Sequence, residues 1–282
     1  MRIEKVGVIG AGQMGAGIAQ VCASIGKVVT LCDIKQDFVD IGMATINRNL
    51  KRSVSKERIN QKQMDQTLGN VSTTLEKNEL KDCDIIIEAI IEDVDIKKGL
   101  FSDLGNICSS NTILASNTSS IPIGILAEAS GRPDKVVGMH FMNPVPVMKL
   151  VEVIRATETS DDTFDMTFNL AEDLHKVPVL VNDFPGFVSN RILLPMLNEA
   201  MFCVMEGVAE PDAIDTVMKL GMSHPMGPLT LADFIGLDTC LAIMEVLHKD
   251  LNDDKYRPCP LLKEMVKDGK LGKKSGEGFY KY

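Results

Sequence analysis

The stretch GMHFMNPVPVMKLVEVI, residues 138–154, places a histidine and a glutamate where they can work as a pair. His140 closes one apolar run, and Glu152 lies twelve residues on, inside a second run of Leu150, Val151, Val153 and Ile154. A carboxylate within an apolar strand is costly unless it has a partner. A neutral imidazole, with a reference pKa of about 6.5, is suited to take a hydroxyl proton while the carbon beneath it gives up hydride. A glutamate on the other ring nitrogen would fix the tautomer and stabilise the imidazolium that forms. The NPVP between them leaves room for a turn and a returning strand. His175, on an expected helix, His224, in a proline-glycine turn, and His248, at a polar helix end, carry no such partner and read as structural residues.

Other polar residues fall where the same chemistry needs them. Asn117 and Ser119, in LASNTSS, follow a strand and so stand at a carboxyl edge of a sheet, where doubly wound proteins bind ligands. Asn143 follows His140 at the next strand's end, and Asn190, in PGFVSNR, opens the C-terminal part. Ser119 and Asn190 can donate hydrogen bonds to substrate oxygens. Ser119 also has a plainer reading as a helix cap, and Asn190 as a surface amide.

A hydride partner is written into the N-terminus. VGVIGAGQMGAGIAQ supplies Gly10, Gly12 and Gly15, with Gln13 and Met14 between them, directly after a strand and opening a helix. These glycines permit a tight turn, close approach of a pyrophosphate and close helix–strand packing, and the helix N-terminus offers free N–H groups. The next strand ends at Asp33, about twenty residues on, where an acid binds ribose hydroxyls. Asp33 predicts NAD in preference to NADP, because a carboxylate repels a 2′-phosphate.

The elements that must hold these residues are legible as apolar runs separated by helical patterns: KVGVIG, KVVTLCD, CDIIIEAI, NTILASN, DKVVGMHF, KLVEVI and VPVLVND. Such runs predict an α/β fold, a Rossmann-type mostly parallel sheet covered on both faces. After NDFPGF only helical patterns remain. The expected organisation is a dinucleotide-binding domain over residues 1–185, with a basic helical hairpin inserted at about 36–78, then an all-α domain over 186–282.

Within it the stretch INRNLKRSVSKERINQK, residues 46–62, carries Arg48, Lys51, Arg52, Lys56, Arg58 and Lys62 against one acid, Glu57, in a chain of net charge −9. It reads either as a solvated charged face or as a landing site for a polyanionic substrate tail. The overall acidity argues against nucleic acid as a partner, and no apolar run reaches the length of a membrane span. Seven scattered cysteines without a CxxC pair suggest reduced thiols in the cytoplasm, and no metal site is expected.

Taken together, VIGAGQMGAGIAQ, SNTSS, GMHFMNPVPVMKLVEVI, PGFVSNRIL, HPMGP and GKKSGEGFY resemble the short-chain (S)-3-hydroxyacyl-CoA dehydrogenases, bacterial 3-hydroxybutyryl-CoA dehydrogenases among them. The resemblance spans nearly the whole chain in order. It implies NAD-linked interconversion of 3-hydroxyacyl-CoA and 3-oxoacyl-CoA, and a homodimer formed largely through the C-terminal helical domain. The family's catalytic histidine and its glutamate fall on His140 and Glu152, and its substrate-positioning serine and asparagine on Ser119 and Asn190. Its cofactor contacts fall on Asp33, Glu92, Lys97, Asn143 and Lys274. Its acyl-CoA contacts fall on Lys56 and on Asn49, which stands where a relative has serine. Two rivals remain: a related dehydrogenase of a free hydroxy acid, and a non-catalytic NAD-binding protein like the λ-crystallins of the lens.

Overall fold

Strand β1 (Lys5–Ile9) runs straight into the glycine turn and helix α1 (Gln13–Ser24) in the computed structural model of the chain, which describes residues 2–282. Strand β2 (Val28–Cys32), helices α2 (Gln36–Ser55) and α3 (Gln61–Gly69), and strand β3 (Val71–Thr74) follow. Then come β4 (Ile85–Glu88), α4 (Val94–Ile107), β5 (Ile113–Ser116), α5 (Ile123–Ser130) and β6 (Val136–Phe141). The first of two units, ending at Asp183, closes with β7 (Leu150–Arg155), α6 (Asp161–Asp173) and β8 (Val177–Asn182).

The eight strands form one sheet in the order β3-β2-β1-β4-β5-β6-β7-β8, parallel throughout except between β6 and β7. Through β6 this is the doubly wound dinucleotide-binding order, whose ligand crevice opens where the order reverses, here between β1 and β4. β4 and β5 are buried along their whole length, which is why they read as unbroken apolar runs rather than as alternation.

Two sequence expectations need correction. The range 36–78 is not helical throughout, because β3 lies within it. VSTT is short, polar and at the sheet edge, with only Thr74 buried, so it lacks the apolar run that marks the other strands. His175 is not on a helix: it stands beyond α6 in a left-handed turn, with φ 57°.

The second unit, from Phe184, contains α7 (Ser189–Met205), α8 (Pro211–Gly221), α9 (Pro228–Ile235), α10 (Leu237–Leu251) and α11 (Pro260–Lys267) around its own apolar core. Two buried carboxylates tie its C-terminal tail down. Asp215 accepts from the Leu229 and Thr230 amides and from the Tyr280 hydroxyl. Asp233 accepts from the Phe279 and Tyr280 amides. This holds the segment that carries Lys274.

Candidate active site

In the antiparallel β6–β7 ladder His140 stands opposite Glu152. Partners in such a pair project from the same face of the sheet. His140 Nδ1 lies 2.8 Å from Glu152 Oε2, with the residues only 8% and 2% exposed. With Glu152 as acceptor, Nδ1–H is the donor of this contact, the tautomer in which Nε2 is the ring's other, acceptor nitrogen. The loop joining the strands is tied to α1: Gln13 Nε2 donates to Asn143 Oδ1 at 2.9 Å. Gly17 lets α1 lie against that loop, since a Cβ there would come 2.8 Å from Val145.

The glycine turn fits NAD. Gly10 has φ +99°, and a Cβ on it would fall 2.5 Å from the Ala89 carbonyl oxygen. At Gly12 a Cβ would meet no protein atom within 4 Å, so the backbone is open to a ligand. Helix α1 starts immediately afterwards, with no side-chain cap and no acid in its first turn, which leaves its N–H groups for a pyrophosphate. Asp33 Oδ2 accepts from the Ala11 amide at 2.6 Å and Oδ1 from the Ile34 amide at 2.7 Å. The carboxylate is thereby fixed beside the loop, and its remaining lone pairs suit ribose hydroxyls.

The carboxyl edge of β4 and β5 holds a charge network in which Glu88 and Ser116 join Glu92 and Lys97. Lys97 Nζ lies 2.9 Å from Glu88 Oε1 and 2.9 Å from Glu92 Oε2. Glu88 also accepts from Ser116 Oγ at 2.6 Å and from the Ile90 amide at 2.8 Å. Glu92 Oε1 gathers the turn after β5, accepting from Thr118 Oγ1 at 2.5 Å, the Ser119 amide at 2.8 Å and the Ser120 amide at 3.0 Å. Partial burial alone would raise the Glu92 carboxyl, but the Lys97 ammonium and these hydrogen bonds hold it down to about 2. Ser119 is not a helix cap, since Pro122 occupies that position for α5.

Glu88 and Ser116 are the residues that the sequence reading misses. The signal is the one that Glu152 gives: a carboxylate attached to an apolar run, here CDIIIEAI.

The basic residues Arg48, Lys51 and Arg52 are exposed on α2, Lys56 caps its C-terminal end, and Arg58 and Lys62 are exposed beyond it. Asn49 leans the other way, its Nδ2 donating to Gln20 Oε1 on α1 at 3.2 Å. In the second unit Asn190 is half-buried in the first turn of α7, just after Phe187, which adopts φ 50°. Lys274 Nζ donates to Asp238 Oδ2 at 2.7 Å. Burial pushes the Cys22, Cys83 and Cys240 thiols up to about 12, so these are not thiolate nucleophiles near neutral pH.

Residues 5–184 match the family model described as 3-hydroxyacyl-CoA dehydrogenase, NAD binding domain, and residues 186–282 the model of the C-terminal domain of the same family. A probable 3-hydroxybutyryl-CoA dehydrogenase of Deinococcus radiodurans is 62% identical, over 99% of this chain and 100% of its own length. The human mitochondrial hydroxyacyl-coenzyme A dehydrogenase is 41% identical over 99% of this chain and 91% of its own. Among solved structures, the (S)-3-hydroxybutyryl-CoA dehydrogenase of Ralstonia eutropha superposes with a TM-score of 0.97 at 48% identity, covering 99% of both chains.

Proposed function

Since the chain belongs to the 3-hydroxyacyl-CoA dehydrogenase family, we propose that it interconverts (S)-3-hydroxybutyryl-CoA and acetoacetyl-CoA with NAD(H). The observation that carries this reading is the buried 2.8 Å contact between His140 and Glu152, on the sheet that also bears the dinucleotide loop. The names of the relatives above support the short-chain thioester.

Bound NAD supplies the hydride acceptor in oxidation and, when reduced, the donor in the reverse direction. In oxidation His140 Nε2 takes the hydroxyl proton, while Nδ1–H stays on Glu152, whose charge stabilises the imidazolium. In reduction the imidazolium returns that proton to the substrate oxygen. Ser119 and Asn190 orient the substrate oxygens, and Asn143 serves the nicotinamide side. Gly10, Gly12, Gln13, Met14, Gly15 and Asp33 hold the dinucleotide, with Glu92, Lys97 and Lys274 completing its surroundings. Lys56 and Asn49, with the exposed cations of α2, receive the phosphate-bearing CoA handle, since anionic oxygens and ammonium or guanidinium groups form strong charge-assisted hydrogen bonds.

We place the homodimer contact on the second unit, which serves both substrate and dimerisation, and the protein in the cytosol, given its scattered cysteines. The rival readings are separated by activity: a lens-type NAD-binding protein would turn nothing over, and a free-acid dehydrogenase would not need the basic helix. Initial rates with acetoacetyl-CoA, a short thioester mimic and free acetoacetate, each with NADH and NADPH, test the proposal. Efficient turnover confined to the CoA thioester with NADH is expected. Equal kcat/KM for the CoA thioester and the mimic would remove the tail site.

A further inference from the structure

We propose that the buried Glu88–Lys97 pair is a positioning device for Ser119 that acts through Glu92, a proposal that rests on the reading of Ser119 as a substrate-orienting residue. Lys97 is 1% exposed in its side chain and Glu88 is 0% exposed. A buried ion pair is weak evidence of a stabilising role, because apolar replacements of similar volume are often neutral or better. The pair therefore calls for a different account, and its surroundings give one.

Lys97 is enclosed between two carboxylates, 2.9 Å from each, and besides its place beside the cofactor it holds Glu92. Its effect reaches the substrate side through Glu92. Glu92 Oε1 has five donors around it: Thr118 Oγ1 at 2.5 Å, the Ser119 amide at 2.8 Å, the Ser120 amide and hydroxyl both at 3.0 Å, and Ser119 Oγ at 3.3 Å. One carboxylate oxygen has about two lone-pair sites, so five donors crowd it. Of these five contacts the one from the Ser119 hydroxyl is the longest. The Ser119 amide, at 2.8 Å, fixes the backbone, while the hydroxyl can exchange from Glu92 to a substrate oxygen.

That arrangement works only while Glu92 is ionised and pure acceptor. A protonated carboxyl would present a donor to the turn and lose part of its hold on the amides. Lys97, 2.9 Å from Glu92 Oε2, holds that end of the carboxylate so that Oε1 faces the turn, and it favours the ionised form. Glu88, anchored by Ser116 Oγ at 2.6 Å and the Ile90 amide at 2.8 Å, keeps Lys97 in place. The path runs Ser116, Glu88, Lys97, Glu92, Ser119, from the ends of β4 and β5 to the turn beyond. Glu88 and Lys97 are positioning residues in this scheme.

The test is a double-mutant cycle on the full-length protein: Glu88→Gln, Ser119→Ala and the combination, with kcat and both KM values measured for acetoacetyl-CoA and NADH. Glu88→Gln is expected to lower kcat about 10-fold with the NADH KM changed less than about 2-fold, since misplacing an orienting group costs rate. In the Ser119→Ala background the same change should cost nothing further. An equal drop in both backgrounds, or a raised NADH KM with kcat intact, overturns the proposal. If Ser119→Ala is itself silent, the Ser119 assignment falls and the positioning role falls with it. The family-level reading is tested separately, at His140. Should Glu88→Gln not fold, Ser116→Ala removes only the hydroxyl donor to Glu88 and carries the same comparison.

Discussion

His140 and Glu152 are cross-strand partners in the β6–β7 ladder, with Nδ1 and Oε2 2.8 Å apart inside a buried layer. In the proposed reaction the glutamate accepts the ring N–H across this contact. Glu152→Gln keeps the shape but can turn an amide N–H toward Nδ1 and so stabilise the wrong tautomer. The expected result is a kcat lower by about 100-fold or more, with the NADH KM within about 2-fold of wild type. Steady-state kinetics with acetoacetyl-CoA check it. A loss confined to KM would assign Glu152 to binding.

Asp33 makes two backbone contacts beside the dinucleotide loop, to Ala11 and Ile34. Asp33→Ala should raise the NADH KM about 10- to 100-fold, the range expected for losing charge-assisted hydrogen bonds, and leave NADPH unchanged or improved. Measuring kcat/KM for both cofactors decides it. An unchanged ratio would require another ribose partner.

Lys97→Met leaves Glu88 buried without a counter-ion, and a cost of about 3–5 kcal/mol at neutral pH is expected. The pH dependence has a definite sign. Glu92 is held at about 2 against an ordinary glutamate value of 4.5, so it contributes stability above about 4.5 that is lost as pH falls toward 2. Without Lys97 its carboxyl moves upward and that contribution shrinks. Paired urea melts at about pH 6 and about pH 3 should show the wild type losing part of its advantage at the lower pH. A gap that does not change with pH would show that Lys97 does not hold the Glu92 carboxyl down.

Helix α8 leaves Val217 60% and Leu220 81% exposed, with Met222 60% exposed just past its end. Large apolar side chains exposed at neighbouring positions suit the dimer contact proposed for this unit. Sedimentation should give a dimer for the wild type and a monomer for Leu220→Asp. A Leu220→Asp dimer would move the contact elsewhere.

How much of this is legible in the sequence depends on where each residue's partner lies. Glu152 interrupts an apolar run, so its need for a partner is visible, and His140 is the nearest candidate across a turn. Glu88 carries the same cost but stands at the end of its run, where an acid reads as the start of a loop. Its partner Lys97 looks like an ordinary charge opening α4, and only the turn between them makes the pair a buried one. Asp215 and Asp233 are hidden in the same way, since nothing local distinguishes them from surface acids on helices. β3 escapes because a polar edge strand has no apolar period. The glycine turn, by contrast, is a local constraint, and its spacing alone places the dinucleotide loop.

In the proposed reaction His140 moves the proton while hydride passes to or from NAD. Its most direct test is the turnover of acetoacetyl-CoA and NADH by His140→Ala beside wild type, with NADH binding measured on both. A kcat lower by about 100- to 10,000-fold with NADH affinity retained is expected. A variant within a few-fold of wild-type turnover would contradict it.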